Sequence, residues 1–172
     1  YTTSYDLALI TSFAIKNPNF MKYFGGDRHT MPPTNVQPTP RNFFNFQSML
    51  VDDTGYYDPS VIGGKVGYTT PAQHTMSTAA TREGRTLVAV VMHSGERTQK
   101  FTDTQKLLEY GYGSFTPISL PAALFTTDLF SVGNTGDVWF TRKEPFTALL
   151  RNDLSADDIQ IHIPDPYHIT VY

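Results

Sequence analysis

The strongest constraint on the fold is a run of β-forming sequence over residues 64–92, broken by a single clear reversal. Residues 65–69 (KVGYT) and 73–81 (QHTMSTAAT) carry threonines and small or apolar side chains, while residues 86–92 (TLVAVVM) are apolar at almost every position. Between the last two stands REGR, residues 82–85, a hairpin signal with glycine at the reversal. A strand without polar alternation is expected to be buried on both faces, so this sheet should have material packed on each side. The next segment supplies some of it: RTQKFTDTQKLLEYGYGSF predicts a helix ending near Tyr110, with Gly111 as its C-terminal cap.

The residues before the sheet are of mixed texture. TTSYDLALITSFAIKNPNF reads as a helix that Thr3 or Ser4 can cap, with Asp6 at its positive end and Asn17-Pro18 stopping it. Leu7, Ile10 and Ala14, with Leu9 and Phe13, give it a broad apolar face. Residues 25–42 hold four prolines and predict an irregular loop with short extended pieces. FFNFQSML, residues 43–50, is expected to return to the core, and VDDTGYYDPS to be a turn-rich connection. After Pro117 the short strand candidates DVWFT, FTALL and IQIHI define an all-β piece, the last alternating Ile159, Ile161 and Ile163 with Gln160 and His162. The expected domains are therefore 1–116 and 117–172, the second too short for much of an independent core and either incomplete or docked on the first.

Composition excludes several classes of function. With 13 basic and 16 acidic residues and no basic cluster, the chain has no electrostatic footprint for nucleic acid. No apolar run reaches the roughly 20 residues of a membrane helix. The absence of cysteine removes thiol catalysis, disulfides and thiolate metal sites. The five histidines, His29, His74, His93, His162 and His168, lack ligand spacing and are expected to be structural or surface groups. Asp52-Asp53 and Asp157-Asp158 suit turns and caps better than paired acid–base work.

One octapeptide, GGKVGYTT at residues 63–70, is odd for a plain strand. Glycines flank a lone lysine, so that another molecule's main chain could lie against the backbone with Lys65 the one charge in reach. In order, the SYDLALI helix, NFQSML, GGKVGYTT, TAATREGRTLVAVVM and R-x-x-x-F-x-x-x-x-K-L-L-E-Y-G-Y resemble the D-alanyl-D-alanine carboxypeptidases of the low-molecular-weight penicillin-binding protein family. The resemblance covers about residues 1–115, and the tail resembles the family's C-terminal β domain only weakly.

The resemblance implies an α+β chain: the C-terminal half of the serine DD-peptidase/β-lactamase-like transpeptidase fold, an antiparallel sheet with packed helices, followed by a small β-rich domain. It implies a serine-type D-Ala-D-Ala carboxypeptidase in the extracytoplasmic cell envelope, acting on peptidoglycan stem peptides through an acyl-enzyme, binding β-lactams, and needing no metal or cofactor. In such enzymes a K-T-G triad lies on the active-site strand, beside the S-x-x-K and S-x-N motifs. Carried over, Lys65 is the triad lysine, Gly67 admits the substrate closely, Tyr68 supplies an oxyanion N–H, and Thr69 offers a hydroxyl. Arg97 matches an arginine that helps recognise the terminal carboxylate; the alternative is a solvated side chain paired with Glu96 or Asp103. Asn45 and Gln47 match an asparagine-rich family segment, or are a loop and a core amide.

Two departures from the pattern matter. Val66 replaces the triad threonine, removing a hydroxyl from the carboxylate site. Neither S-x-x-K nor S-x-N occurs: Ser12-Phe-Ala-Ile-Lys16 and Ser131-Val-Gly-Asn134 are each one residue too long. The expectation is a C-terminal part of a longer enzyme, inactive alone, whose nucleophile lies in a preceding part or a separate chain. A β-lactamase of the same fold is an alternative that the β extension disfavours. A non-catalytic wall-binding protein is another, which Val66 favours.

Overall fold

The computed structural model describes residues 1–120, 127–131, 137–140, 145–155 and 158. They form two compact units, Tyr1–Tyr112 and Gly113–Tyr172.

The first unit opens with helix α1 (Ser4–Ala14), capped as its sequence suggests: the Thr3 side chain accepts from the Asp6 N–H, and Asp6 reaches back to the Thr3 N–H. Asn17 caps the next helix, α2 (Pro18–Phe24), whose proline occupies the first turn. The proline-rich stretch is less irregular than its composition predicts. Strands β1 (Arg28–Met31) and β2 (Arg41–Phe44) pair antiparallel as a two-stranded ribbon, and a 3₁₀ turn, Ser48–Leu50, follows. FFNFQSML returns to the core only in part. Phe43, Phe44 and Phe46 stay exposed, the first two on a ribbon with no third strand among the described residues, whereas Gln47 and Met49 are fully buried.

The central sheet is β3 (Val61–Thr69), β4 (Gln73–Arg82) and β5 (Arg85–Ser94), antiparallel in that order, which leaves β3 at an edge. The expected reversal is the two-residue turn Glu83-Gly84, both in the left-handed region at φ 51° and 75°, as a tight hairpin requires. One sheet face, with Met76, Ala80 and Ala89, packs on Phe101 and Leu108 of α3 (Gln99–Gly113). The other meets α1, where Thr11 Oγ1 lies 2.8 Å from Ser77 Oγ. In α1 it is Leu7 and Thr11 that turn inward, while Leu9, Ile10 and Phe13 are exposed, so the apolar face predicted from spacing is rotated from the one that packs. Helix α3 runs through Gly111 rather than stopping there. A Cβ at that position would lie 2.6 Å from Leu87 Cδ1, so this glycine serves helix–sheet contact, not capping. Strand β5 is also less buried than expected: Ala89 and Val91 are enclosed, Val88 and Val90 only half so.

In the second unit, β6 (Phe115–Leu120) pairs with β9 (Phe146–Arg151), and β7 (Thr127–Ser131) with β8 (Asp137–Phe140), all antiparallel. Asn152 ties the ends of the first pair, its side chain donating to the Gly113 carbonyl and accepting from Thr116 Oγ1. The strand expected at residues 159–163 lies outside the described residues, as do His162, His168 and Asp157.

Candidate active-site cleft

Strand β3 changes character halfway. Val61, Gly63 and Gly64 are buried; Lys65, Gly67, Tyr68 and Thr69 are exposed, with Val66 half-buried. The buried half corrects one expectation. Gly63 and Gly64 do not offer bare backbone to a ligand, because the Phe24 ring sits where a Gly63 side chain would begin, and the Gln47 amide sits 2.5 Å from a Gly64 Cβ position. That amide donates to Thr78 Oγ1 at 2.7 Å and accepts from the Met49 N–H, so Gln47 is a core amide.

The exposed half forms the wall of a cavity of about 290 Å³. Lys65, Val66, Gly67 and Tyr68 line it from β3, and Arg97, Lys100 and Phe101 from the start of α3 and the loop before it. Phe46 and Ser48 line it from the segment that follows β2, and His74 from β4. The fold thus gathers five of the six residues singled out from sequence into one cleft. Val66 lies opposite Met76 in the register and packs on the core cluster. Thr69 does not line the cleft; its Oγ1 accepts from the Ala72 N–H and so serves the β3–β4 turn. Arg97 is exposed and precedes α3 by one residue, Thr98, rather than opening the helix.

Sequence reasoning passed over Lys100, His74 and Ser48. His74 faces Tyr68 across the ladder, their ring centroids 4.5 Å apart, and only the register reveals that pairing. Lys100 is 4% exposed. Burial holds its ammonium below the usual lysine pKa, and the nearby Arg97 charge lowers it further. The signal for it was weak: a lysine one residue before a core phenylalanine on an amphipathic helix. Electrostatically the cleft is one-sided, since among the described residues no carboxylate pairs with Lys65, Arg97 or Lys100. Lys65 Nζ donates to the Val66 carbonyl, and Lys100 Nζ to that of Arg97. Such a cleft suits an anionic ligand that lies along β3. Among the described residues no cluster of three or more His, Cys, Asp or Glu could hold a metal, and no helix is long and apolar enough to cross a membrane.

No protein-family model matches the chain. In sequence it is 34% identical over 94 residues to the D-alanyl-D-alanine carboxypeptidase DacB2 of Mycobacterium tuberculosis, covering 54% of this chain and 29% of that protein. In structure it matches the crystal structure of a D-alanyl-D-alanine carboxypeptidase from M. tuberculosis with a TM-score of 0.52 and 29% identity, over 65% of this chain and 40% of that one. It matches a point mutant of a Streptomyces DD-transpeptidase with a TM-score of 0.57 and 27% identity, over 66% of this chain and 43% of the other. The chain therefore spans less than half the length of the relatives it matches. Over about two thirds of its length it has the fold of the DD-peptidases and DD-transpeptidases, and over about half of its length it is similar in sequence to a D-alanyl-D-alanine carboxypeptidase.

Proposed function

We propose that the protein is a serine-type D-Ala-D-Ala carboxypeptidase that trims peptidoglycan stem peptides outside the cytoplasmic membrane. The observation that carries this reading is the convergence of Lys65, Val66, Gly67, Tyr68 and Arg97 on one cationic cleft, at the edge of a DD-peptidase-like sheet. An extended peptide laid along an edge strand gains main-chain hydrogen bonds and a fixed direction. Its terminal carboxylate then meets the cations of the cleft. In the reaction a serine Oγ attacks the carbonyl of the penultimate D-alanine, the terminal D-alanine leaves as the free amino acid, and water hydrolyses the ester to restore the serine. Lys65 contributes positive charge where negative charge develops, and the Tyr68 N–H donates to the oxyanion.

The serine itself comes from elsewhere in this proposal. The sequence contains no S-x-x-K or S-x-N. Ser48 lines the cleft, yet among the described residues no hydrogen bond joins its hydroxyl to the lysines or to His74, the arrangement by which a base activates an attacking hydroxyl. The nucleophile and its base belong to a part of the enzyme outside these 172 residues, on the same polypeptide or another.

The full-length protein should release D-alanine from a D-Ala-D-Ala peptide and take one fluorescent penicillin per molecule, whereas residues 1–172 alone should take none. Stoichiometric labelling of the short chain would sink the reading. Val66, which cannot donate to a carboxylate, favours a second one, a wall-binding protein that kept the fold. Binding of stem peptide by the full-length protein without release of D-alanine would select it.

A further inference from the structure

Tyr68 stands where a strand holds its main chain least firmly. It is the last residue but one of β3, an edge strand, so only β4 pairs with it. Gly67, with no side chain to restrain it, comes before, and the turn to β4 follows Thr69. The Tyr68 side chain is 58% exposed, so burial does not fix it either. Strand ends of this kind fray. A donor meant for an oxyanion must be fixed in advance, because its value lies in needing no reorganisation during the reaction.

Side chains brace this end of the sheet instead. Thr69 Oγ1 accepts from the Ala72 N–H, and Gln73 Nε2 donates to the Thr70 carbonyl across the turn. The His74 ring lies against that of Tyr68, with centroids 4.5 Å apart and planes inclined by 39°, and cross-strand aromatic pairs of this kind stabilise a ladder. His74 is itself held from both sides: β4 is the middle strand, and His74 pairs with Tyr68 of β3 and Ser94 of β5. Just beyond that pair one residue of β4, Thr75, stands against two of β5, Met92 and His93. This is a β-bulge, a device that re-aims side chains beside active sites. Two of the three non-glycine residues with left-handed backbone among the described residues border His74. Gln73 precedes it at φ 55°, and His93, at φ 57°, precedes its partner Ser94. Such conformations cost free energy and persist only where the surroundings impose them. His74 and Tyr68 both line the cleft.

We infer that His74 is a positioning residue for acyl transfer: its ring, stacked on that of Tyr68, holds the end of β3 so that the Tyr68 N–H is in place for the oxyanion. The inference rests on the carboxypeptidase reading and adds to that site a residue that acts through Tyr68 rather than on the substrate. The role requires a ring, not a proton.

The test uses the full-length protein and a fluorescent penicillin in single-turnover experiments, which separate non-covalent binding from the acylation rate constant. His74→Ala should lower that rate constant about 10- to 100-fold, as a small misplacement of a reacting group does, with binding and melting temperature little changed. His74→Phe, which keeps a ring, should restore most of the rate and leave its pH profile as in the unsubstituted protein. Tyr68→Ala keeps the N–H but loses the stack, so adding His74→Ala to it should slow acylation no further. An unaltered rate in His74→Ala overturns the inference while leaving the carboxypeptidase reading standing. So does a His74→Phe enzyme as slow as His74→Ala, which would make the imidazole's own chemistry the point, and so do losses that multiply in the double variant. A His74→Ala protein that melts at lower temperature and acylates normally per folded molecule also overturns it, because the histidine is then structural. If the unsubstituted full-length protein takes no penicillin, the functional reading falls and this assignment with it.

Discussion

The two halves of β3 both carry valine and glycine and have opposite fates. Of residues 61–64 all but Ile62 are buried, and the space beside the two glycines is filled by Phe24 and Gln47 of the same chain; residues 65–69 are largely open, and residues 65–68 line the cleft. A glycine marks close approach in either case, but only the structure says whose atoms approach. In the first half the glycines admit a buried ring and a buried amide, and in the second Gly67 admits the Thr75 hydroxyl of the neighbouring strand, 2.8 Å from where a Cβ would stand, on an otherwise exposed stretch. One continuous strand thus fixes the cleft wall to the core: the buried half sets the position that the exposed half uses.

Substitutions in each half should separate these roles. The largest effect is expected from Lys65→Ala in the full-length protein, which should lower acylation by penicillin about 100-fold or more while the melting temperature stays the same. A fully active variant would remove the reason for reading the exposed half as an active-site strand. Gly64→Ala should do the reverse. Its methyl group would lie against the Gln47 amide and the cost of overpacking is about 1–3 kcal/mol, seen in denaturant titration, with kcat/KM per folded molecule retained. Loss of activity without loss of stability would erase the distinction between the halves.

A smaller effect is expected at the entrance to the strand. Asp58 accepts from the Ser60 N–H and Oγ and from Arg82, which also reaches Glu109, so the start of β3 is clamped to β4 and α3. Burial pushes the Asp58 carboxyl up, but the Ser60 and Arg82 hydrogen bonds outweigh it and hold the pKa below the usual range. The stabilisation is therefore complete above the ordinary aspartate pKa of about 4 and disappears as pH falls through the lower folded-state value. Asp58→Asn should cost about 1 kcal/mol at neutral pH and shrink the acid dependence of the melting temperature. An unchanged acid limb would show that the clamp contributes nothing. The smallest effect belongs to Val66→Thr, which should lower KM by at most a few-fold and partly restore affinity to an Arg97→Ala enzyme; no recovery would show that position 66 does not reach the carboxylate.

Much of the first unit was legible because local signals agreed: the cap at Thr3, the reversal at Glu83-Gly84 and the apolar run of β5 all point to elements that form. The cleft was legible through the order of segments, whose resemblance assigns Lys65 and Arg97 to one site, and β3 and the loop before α3 bring both to one cavity. What escaped depended on long-range packing. Nothing local tells that Gly111 faces Leu87, that Gln47 fills the space over Gly64, or that Lys100 turns inward while Lys106 stays out. Phe43, Phe44 and Phe46 misled for the same reason: an aromatic run implies a core only where something covers it.

The edge position of β3 has one more consequence. Unpaired main-chain donors and acceptors do not distinguish a stem peptide from another strand of protein, and a second copy of this chain brings the same edge. Lys65 stands near the middle of that edge, so two copies that paired there would bring like charges together. On the proposed function, the lysine that would draw in an anionic peptide would also keep the site from being blocked by its own kind. Removing it should therefore make the protein prone to associate as its concentration rises, a defect distinct from its loss of chemistry and visible by light scattering.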